Sequence, residues 1–500
     1  MNLNRILAAS AGLALAAITL SAASLRIRPA DCVVVVPTGD AFFEETAQDL
    51  AKHFRLVFGV ELQAVSPTNL PGGKFPLRLG EPAPGDTKPL ASGECRWTAT
   101  PEGLWFYGSA DPAWRQKSEA EAAVYFFLEQ AMGVRWIQPG DRGLVYAPRK
   151  ELMLKKGTVA HVNKMVYRGY RAGAARPLPE GPLKPIAGPL KGFDAWFHKP
   201  GTVATYNQYV EDERQWRLRR MRMGGVSPGY GHAFTDWWDA YSETHAEYFA
   251  LNRHGAREPE RDPALKGVPW SARDKQFVKL CVSSPGVVEQ VIANWRKKGM
   301  RGSVNATEND LGIGYCHCGP CMALDRLDPG DYEGKTLASV TDRYVWFANR
   351  LARAAAAFKP GTEAAMYVYN ECYQPPKYET VDPQVVAGVV PRRIDLTHLE
   401  EILGGWKKAG LRKMMLRPNW PFHYGCSSLP FGHHQQLYEA FRCAYRHGAV
   451  SADIDHLMLQ WTIHGLADYA LCKGMLYPDA PFERWEAEYC SAFGDAAEDA

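Results

Sequence analysis

The 500-residue chain lacks an excess of either charge. Its 58 lysines and arginines stand against 55 aspartates and glutamates, a formal net charge of +3. Nucleic acid and anionic membrane are therefore disfavoured as partners, because both ask for a strongly basic face. Also missing is a phosphate-binding loop. Neither G-x-x-x-x-G-K-[ST] nor a G-x-G-x-x-G following a strand stands out, so nucleotide chemistry is not indicated. No internal repeat is visible, and no arrangement of cysteine, histidine and asparagine marks a thiol enzyme. Beyond residue 23 no apolar run approaches the roughly 18 residues of a membrane-crossing helix, so no membrane span is expected in the mature chain.

What is present begins with residues 1–23. One early cation, Arg5, precedes an apolar run over 6–20 and the small residues Ser21, Ala22 and Ala23, which is the pattern of a secretory signal peptide. A retained anchor would need a longer run and a stop-transfer pattern. The reading implies export, to a periplasm or beyond. It also frames the 11 cysteines, an odd number in an oxidising compartment, of which at least one is left unpaired or bound to something else. Aromatic content is high, at 12% with 15 Trp and 23 Tyr, and rings with one apolar face and one polar handle suit either a large core or a sugar platform.

The length suits two domains. Residues 24–150 alternate a buried strand (32–37), an amphipathic helix (42–58), short strands at 61–66, 77–79, 94–98 and 104–108, a helix (118–132) and an extended stretch (134–138), a small α/β domain. From residue 160 to 493 eight extended segments alternate with helices, which is the pattern of a parallel sheet and the count of a (β/α)8 TIM-type barrel. The strands are expected at 165–170, 226–233, 277–282, 303–307, 364–369, 385–390, 413–416 and 456–461, with helices at 209–223, 285–298, 341–358, 396–409 and 435–446.

In such a barrel the chemistry sits at the C-terminal ends of the strands. Glu308 and Asp310 follow the fourth strand and Glu371 the fifth, so three carboxyls are expected across one pocket, and glycosidic cleavage needs two, an acid and a base or nucleophile. Strand-end acids also serve as helix caps or loop anchors, and the sequence leaves both roles open. Asn309 and Asn370 accompany the acids. Trp420 and His423 follow the seventh strand, Trp461 the eighth and His232 the second, rings and hydrogen-bonding groups fit for a pyranose. Cys316, Cys318 and Cys321 form a C-x-C-x2-C cluster in the loop after the acids, which by spacing is part of a structural zinc site, with His317 or Cys372 as candidate fourth ligands. A disulfide is the alternative. Apart from such a zinc no cofactor is expected.

Several stretches carry a family resemblance. FLEQAMGVRWIQPGDRG (127–143 with Phe127 first) resembles the end of the small α/β domain that precedes the barrel in family 67 α-glucuronidases and in β-hexosaminidases. HAEYFALNRHGARE, LCVSSPGVVE, ENDLGIGYCHCGPCMALD, TDRYVWFANRLA and ADYALCKGMLYPDAPFERWEAEYCSAFG resemble the bacterial family of domain of unknown function 4838, with Ala246 where proline is frequent and Ser284 where asparagine is frequent. The resemblance implies a glycoside-hydrolase-like barrel and no particular substrate. Hexosaminidases carry an Asp-Glu pair after the fourth strand. Here Asn309 and Asp310 take that place, so substrate-assisted chemistry does not carry over. The expectation is an exported glycosidase acting on a poly- or oligosaccharide with Asp310 as acid and Glu371 as base or nucleophile. A carbohydrate-binding barrel without catalysis and a zinc hydrolase remain as alternatives.

Overall fold

The computed structural model describes residues 24–37, 39–110, 119–172, 202–225, 229, 231–259, 268–310, 313–326, 339–391, 395–419, 434–457 and 461–496. They fall into two compact units, the first built mainly from residues before 163 and the second from those after it.

In the first unit β1 (Ser24–Ile27) precedes β2 (Cys32–Val35), whose run of four buried residues suits a strand covered on both faces. Helix α1 (Ala41–Phe58) is set off by Asp40, whose carboxylate accepts from the Phe42 amide at 3.0 Å, and stops at Gly59 in the left-handed region, φ 70°. β3 (Ala64–Val65), β4 (Phe75–Leu79), β5 (Glu94–Thr100) and β6 (Gly103–Gly108) follow, then α2 (Ala120–Gln130). The short β7 (Arg135–Trp136) and β8 (Leu144–Val145) fall at the unit boundary, and β9 (Leu152–Lys155) and β10 (Gly157–Val162) close the unit. The main sheet has the order β10-β5-β6-β4-β2-β3, parallel from β6 to β3 and antiparallel at the β5 side. α2 packs on β5 and β6 through Phe127, edge-on to Trp97 and Phe106.

The second unit is a mixed α/β body around a seven-stranded sheet. Its strands are β11 (Tyr167–Ala172), β12 (Gly224–Gly225), β13 (Val304–Asn305), β14 (Ala364–Val368), β15 (Val385–Val389), β16 (Lys413–Leu416) and β17 (Ala449–Leu457), in the order β12-β11-β17-β16-β15-β14-β13. All neighbours are parallel except β11 and β12. The connecting helices are α3 (Thr202–Gln215), α4 (Trp237–Tyr241), α5 (Ala272–Phe277), α6 (Pro285–Lys297), α7 (Gly319–Asp325), α8 (Thr341–Ala356), α9 (Leu396–Lys408), α10 (His434–Arg446), α11 (Trp461–Leu476) and α12 (Phe482–Cys490). Fully buried β14 and β15 and the apolar stripes of α6, α8 and α9, which bury Val287, Val291, Phe347, Leu351, Leu403 and Trp406, make the core.

Five of the eight expected strands lie within two residues of where they were read; three do not. Expected strand 226–233 is reduced to β12, and 226–228 and 230 lie outside the described residues. Expected strand 277–282 is not in this sheet. α5 runs through Phe277, and the next residues hydrogen-bond instead to the chain at 248–250, with Ala250 N–H donating to Lys279 O and Cys281 N–H to Tyr248 O at 3.0 and 2.8 Å. The physical reason is in its side chains, since Lys279 and Cys281 each have a polar destination that a barrel-wall position would not give. The last strand, expected at 456–461, is β17, seven residues earlier at its start. Its small and polar AVSADID has weak strand propensity, and burial between β16 and β11 imposes the conformation.

Among the described residues the strand ladder therefore does not close into the expected barrel. Its two edges are nonetheless joined, because the segment after β12 meets the segment around β13. Ala233 N–H donates to Thr307 O at 3.1 Å and Asn305 Nδ2 to Gly231 O at 2.7 Å.

Gly474 shows how tightly the C-terminal helices pack. A methyl there would lie 2.5 Å from Tyr438 Cε2, and Tyr438 cannot yield, its hydroxyl donating to Ala480 O at 2.9 Å and accepting from Trp485 Nε1 at 2.8 Å. Helix propensity favours Ala over Gly by about 1 kcal/mol, and overpacking costs about 1–3 kcal/mol. Gly474→Ala is thus expected to lower stability in urea denaturation; a midpoint equal to or above wild type would refute the packing argument.

Candidate functional site

The C-terminal ends of β13 and β14 bring the expected acids to one edge. Beyond β13 residues Ala306 to Asn309 are all buried, and the chain emerges at Asp310, whose side chain is 39% exposed. Beyond β14 it turns at Asn370, which takes a left-handed φ of 50°, a conformation asparagine tolerates better than most residues. That turn presents Glu371, partly exposed, whose Oε2 accepts from the Tyr315 hydroxyl at 3.2 Å.

Glu308 lies behind them, 5% exposed. Burial raises its carboxyl from 4.5 to about 7, opposed by the ammonium of Lys279 and reinforced by the charge of Glu371. Lys279 is equally buried, and desolvation lowers its pKa against the pull of Glu308. Its Nζ donates to the Asn309 carbonyl and, at 3.1 Å, to that of Asp310, and stands 4.9 Å over the Tyr315 ring. Buried Cys372 also touches Glu308, and burial pushes its thiol well up.

Asn309 is a clamp. Its Oδ1 accepts from Phe234 N–H at 3.1 Å, and its Nδ2 donates to Phe234 O and Val278 O at 3.0 and 2.8 Å. It is 1% exposed, and all three of these bonds are internal. His232 lies beside Glu308 and Asp310. Its Nδ1 lies 2.7 Å from Glu308 O, so that nitrogen carries the proton and Nε2, 4.0 Å from Asp310 Oδ1, is the acceptor of the neutral ring. Burial lowers its pKa. The ring sits edge-on to Tyr367 at 5.5 Å, which in turn has the Arg417 guanidinium 5.6 Å over its face.

Trp420 and His423 lie outside the described residues, as does the side chain of Trp461. Trp461 is the first residue of α11 and not part of a strand, and His464 is buried in the same helix.

The cysteine cluster is joined by a thiol the spacing did not suggest. Cys281, Cys316, Cys318 and Cys321 bring their sulfurs within 4.8 Å of one another. Neither His317 nor Cys372 belongs to this group. All ten cysteines among the described residues are free. Lys279, Cys281, Tyr315 and Arg417 are the residues that sequence reasoning missed. For Cys281 a signal existed, being the one cysteine between Cys95 and Cys316; for Lys279 the strand reading of 277–282 hid it, and Tyr315 and Arg417 stand beside candidate residues without a pattern of their own.

Fold and site together define an α/β protein that carries a carboxylate cluster at the C-terminal edge of a mainly parallel sheet. Residues 193–500 match the family described as Domain of unknown function (DUF4838), and the chain belongs to it. No curated protein matches the sequence. Similar solved structures are glycoside hydrolases. Two structures of the N-acetyl-β-hexosaminidase of Streptomyces plicatus are 10% and 12% identical, with TM-scores of 0.39 and 0.40, over 96% of this chain and 93% of theirs. A family 89 glycoside hydrolase of Clostridium perfringens, in complex with GlcNAc-α-1,4-galactose, is 11% identical with a TM-score of 0.36, over 90% of this chain and 50% of that one. No helix among the described residues is long and apolar enough to cross a membrane.

The raised pKa of Glu308 predicts a stability dependence with a definite sign. The folded state holds this proton more tightly than the unfolded state, so between the usual glutamate value of 4.5 and about 7 stability falls as pH rises, and beyond that window the loss is complete. Denaturant unfolding of wild type and Glu308→Gln across pH 4 to 8 is expected to show the wild type losing stability relative to the variant through this window. A difference that stays constant with pH would contradict the buried, proton-holding Glu308.

Proposed function

We propose that the protein is an exported glycoside hydrolase of (β/α)8 type that cleaves a poly- or oligosaccharide by carboxylate acid and base catalysis. The observation that carries the reading is the placement of carboxyls after the C-terminal ends of two adjacent parallel strands. Asp310 follows β13, Glu371 follows β14, and both have exposed surface, while Glu308 lies buried behind them. The barrel reading is supported by the bonds from 231–234 to 305–307, where an eighth wall position would lie.

In this reading Asp310 is the general acid. His232 lies beside it, with the acceptor Nε2 4.0 Å from Asp310 Oδ1. Glu371, oriented by the Tyr315 hydroxyl, is the base or nucleophile. Glu308 and Lys279 lie behind it, the Glu308 carboxyl raised by burial to about 7. Trp420, His423 and Trp461, on the later strand connections, are assigned to the sugar rings as stacking and hydrogen-bonding partners.

The test begins with the purified protein and a panel of plant and algal oligosaccharides, read by release of reducing ends. With a cleaved substrate in hand, Asp310→Asn and Glu371→Gln are each expected to lower turnover by about 10²- to 10⁴-fold while sugar binding and folding persist. The double variant is expected to lose far less than the product of the two, as for groups that act as a unit. Unchanged turnover in both single variants would remove the catalytic assignment.

A further inference from the structure

We propose that Cys281, Cys316, Cys318 and Cys321 bind one structural zinc ion as a tetrathiolate. This goes beyond the hydrolase reading and stands without it. A zinc ion bonded to four sulfurs at about 2.3 Å in a tetrahedron requires sulfurs about 3.8 Å apart. Cys281 Sγ lies 3.6 Å from Cys318 Sγ and 3.9 Å from Cys321 Sγ, and Cys316 completes a group in which every sulfur is within 4.8 Å of the others. These separations match the edges of a coordination tetrahedron, and they are far longer than the roughly 2.05 Å of a disulfide. Three of the four cysteines are buried and Cys318 is partly so. Four thiols packed together without a covalent or metal bond have little to hold them, because sulfur is a weak hydrogen-bond donor and acceptor.

The surroundings fit a metal that carries excess thiolate charge. The backbone N–H of Leu251 donates to Cys316 Sγ at 3.2 Å, and the Arg257 guanidinium hydrogen-bonds Cys281. Such contacts orient and charge-balance thiolate ligands. The ligands come from two chain segments, Cys281 from the diverted stretch after α5, and Cys316 and Cys318 from the loop entering α7 with Cys321 in that helix's first turn. Soft sulfur donors in a closed four-ligand set select zinc, or iron in its place, over hard cations, and they leave no open position for catalysis. The ion would therefore be structural. It would pin Cys281 and with it Lys279, two residues away, whose ammonium holds the carbonyls of Asn309 and Asp310. Bound metal would also keep these thiols from oxidising in an exported chain.

The experiment is elemental analysis of the full chain purified without chelator, with thiol counting and mass spectrometry under non-reducing conditions. The expected result is about one zinc per chain and four thiols that react only after chelation or unfolding. Replacement with Co²⁺ is expected to give the strong visible absorption of a tetrahedral thiolate site, with a sulfur-to-metal charge-transfer band in the near ultraviolet. Cys281→Ser should lose the metal or the spectrum, whereas His317→Ala should retain both. If Cys281→Ser fails to fold, the wild-type cobalt spectrum still decides, through the band intensity of four thiolates against three. Metal-free protein with these thiols freely reactive, the same cysteines in disulfides, iron in place of zinc, or loss of metal in His317→Ala with retention in Cys281→Ser would each overturn the proposal. Absence of glycosidase activity would leave every one of these readings unchanged.

Discussion

The buried ammonium of Lys279 is the constraint on which the strand-end region depends. A cation removed from water is costly unless it is surrounded by acceptors, and here it is met by two carbonyls, an aromatic face and a neighbouring carboxyl. The same neighbourhood explains Glu308. Its carboxyl is also buried, and the two groups set each other's charge, the lysine drawing Glu308 down while burial pushes it up to about 7. Satisfying Lys279 forces residues 278–281 across the end of β13, and the Asn309 amide then ties that stretch to Phe234.

This arrangement accounts for the departure from a regular barrel. A parallel strand at 277–282 would spend its backbone on two strand neighbours and direct alternate side chains into the sheet layers. Instead the stretch pairs antiparallel with the chain near Phe249, through one isolated bridge, and frees its side chains for the carboxylate cluster and the thiol cluster. The edges of the sheet then meet through 231–234 and 305–309. A cleft of about 650 Å³ lies between 229–237, α6 and the start of β13, lined by Trp237, Tyr241 and Trp295, and none of the three acids lines it. The volume of a cavity and the position of the reactive groups are separate properties here, and the chemistry follows the groups.

The segment that carries three of the cysteines is held from a second direction. Arg343, 1% exposed in α8, makes a bidentate pair with Asp325 at the end of α7 and donates to Cys316 O at 2.7 Å. Losing one member of such a buried pair leaves an uncompensated charge, at a cost of about 3–5 kcal/mol. The loop after Asp310 is thus fixed at one end by Lys279 and Asn309 and at the other by Arg343, with the thiols between.

The sequence by itself determined the order of strands and helices wherever hydrophobic pattern is strong. β14, β15 and β16 and helices α1, α6, α8 and α9 lie where periodicity and composition placed them, because buried runs and amphipathic stripes are local properties. It also carried the acids at the ends of β13 and β14, since a strand followed by ENDL or YNEC announces polar groups at its edge. Only the tertiary structure decided the rest. Whether Lys279 is a surface lysine or a buried cation, and whether Cys281 stands alone or beside three thiols 35 to 40 residues later, depends on contacts between segments far apart in the chain. β17 was hidden for the same reason, its small polar residues being held extended by two neighbouring strands and not by any preference of their own.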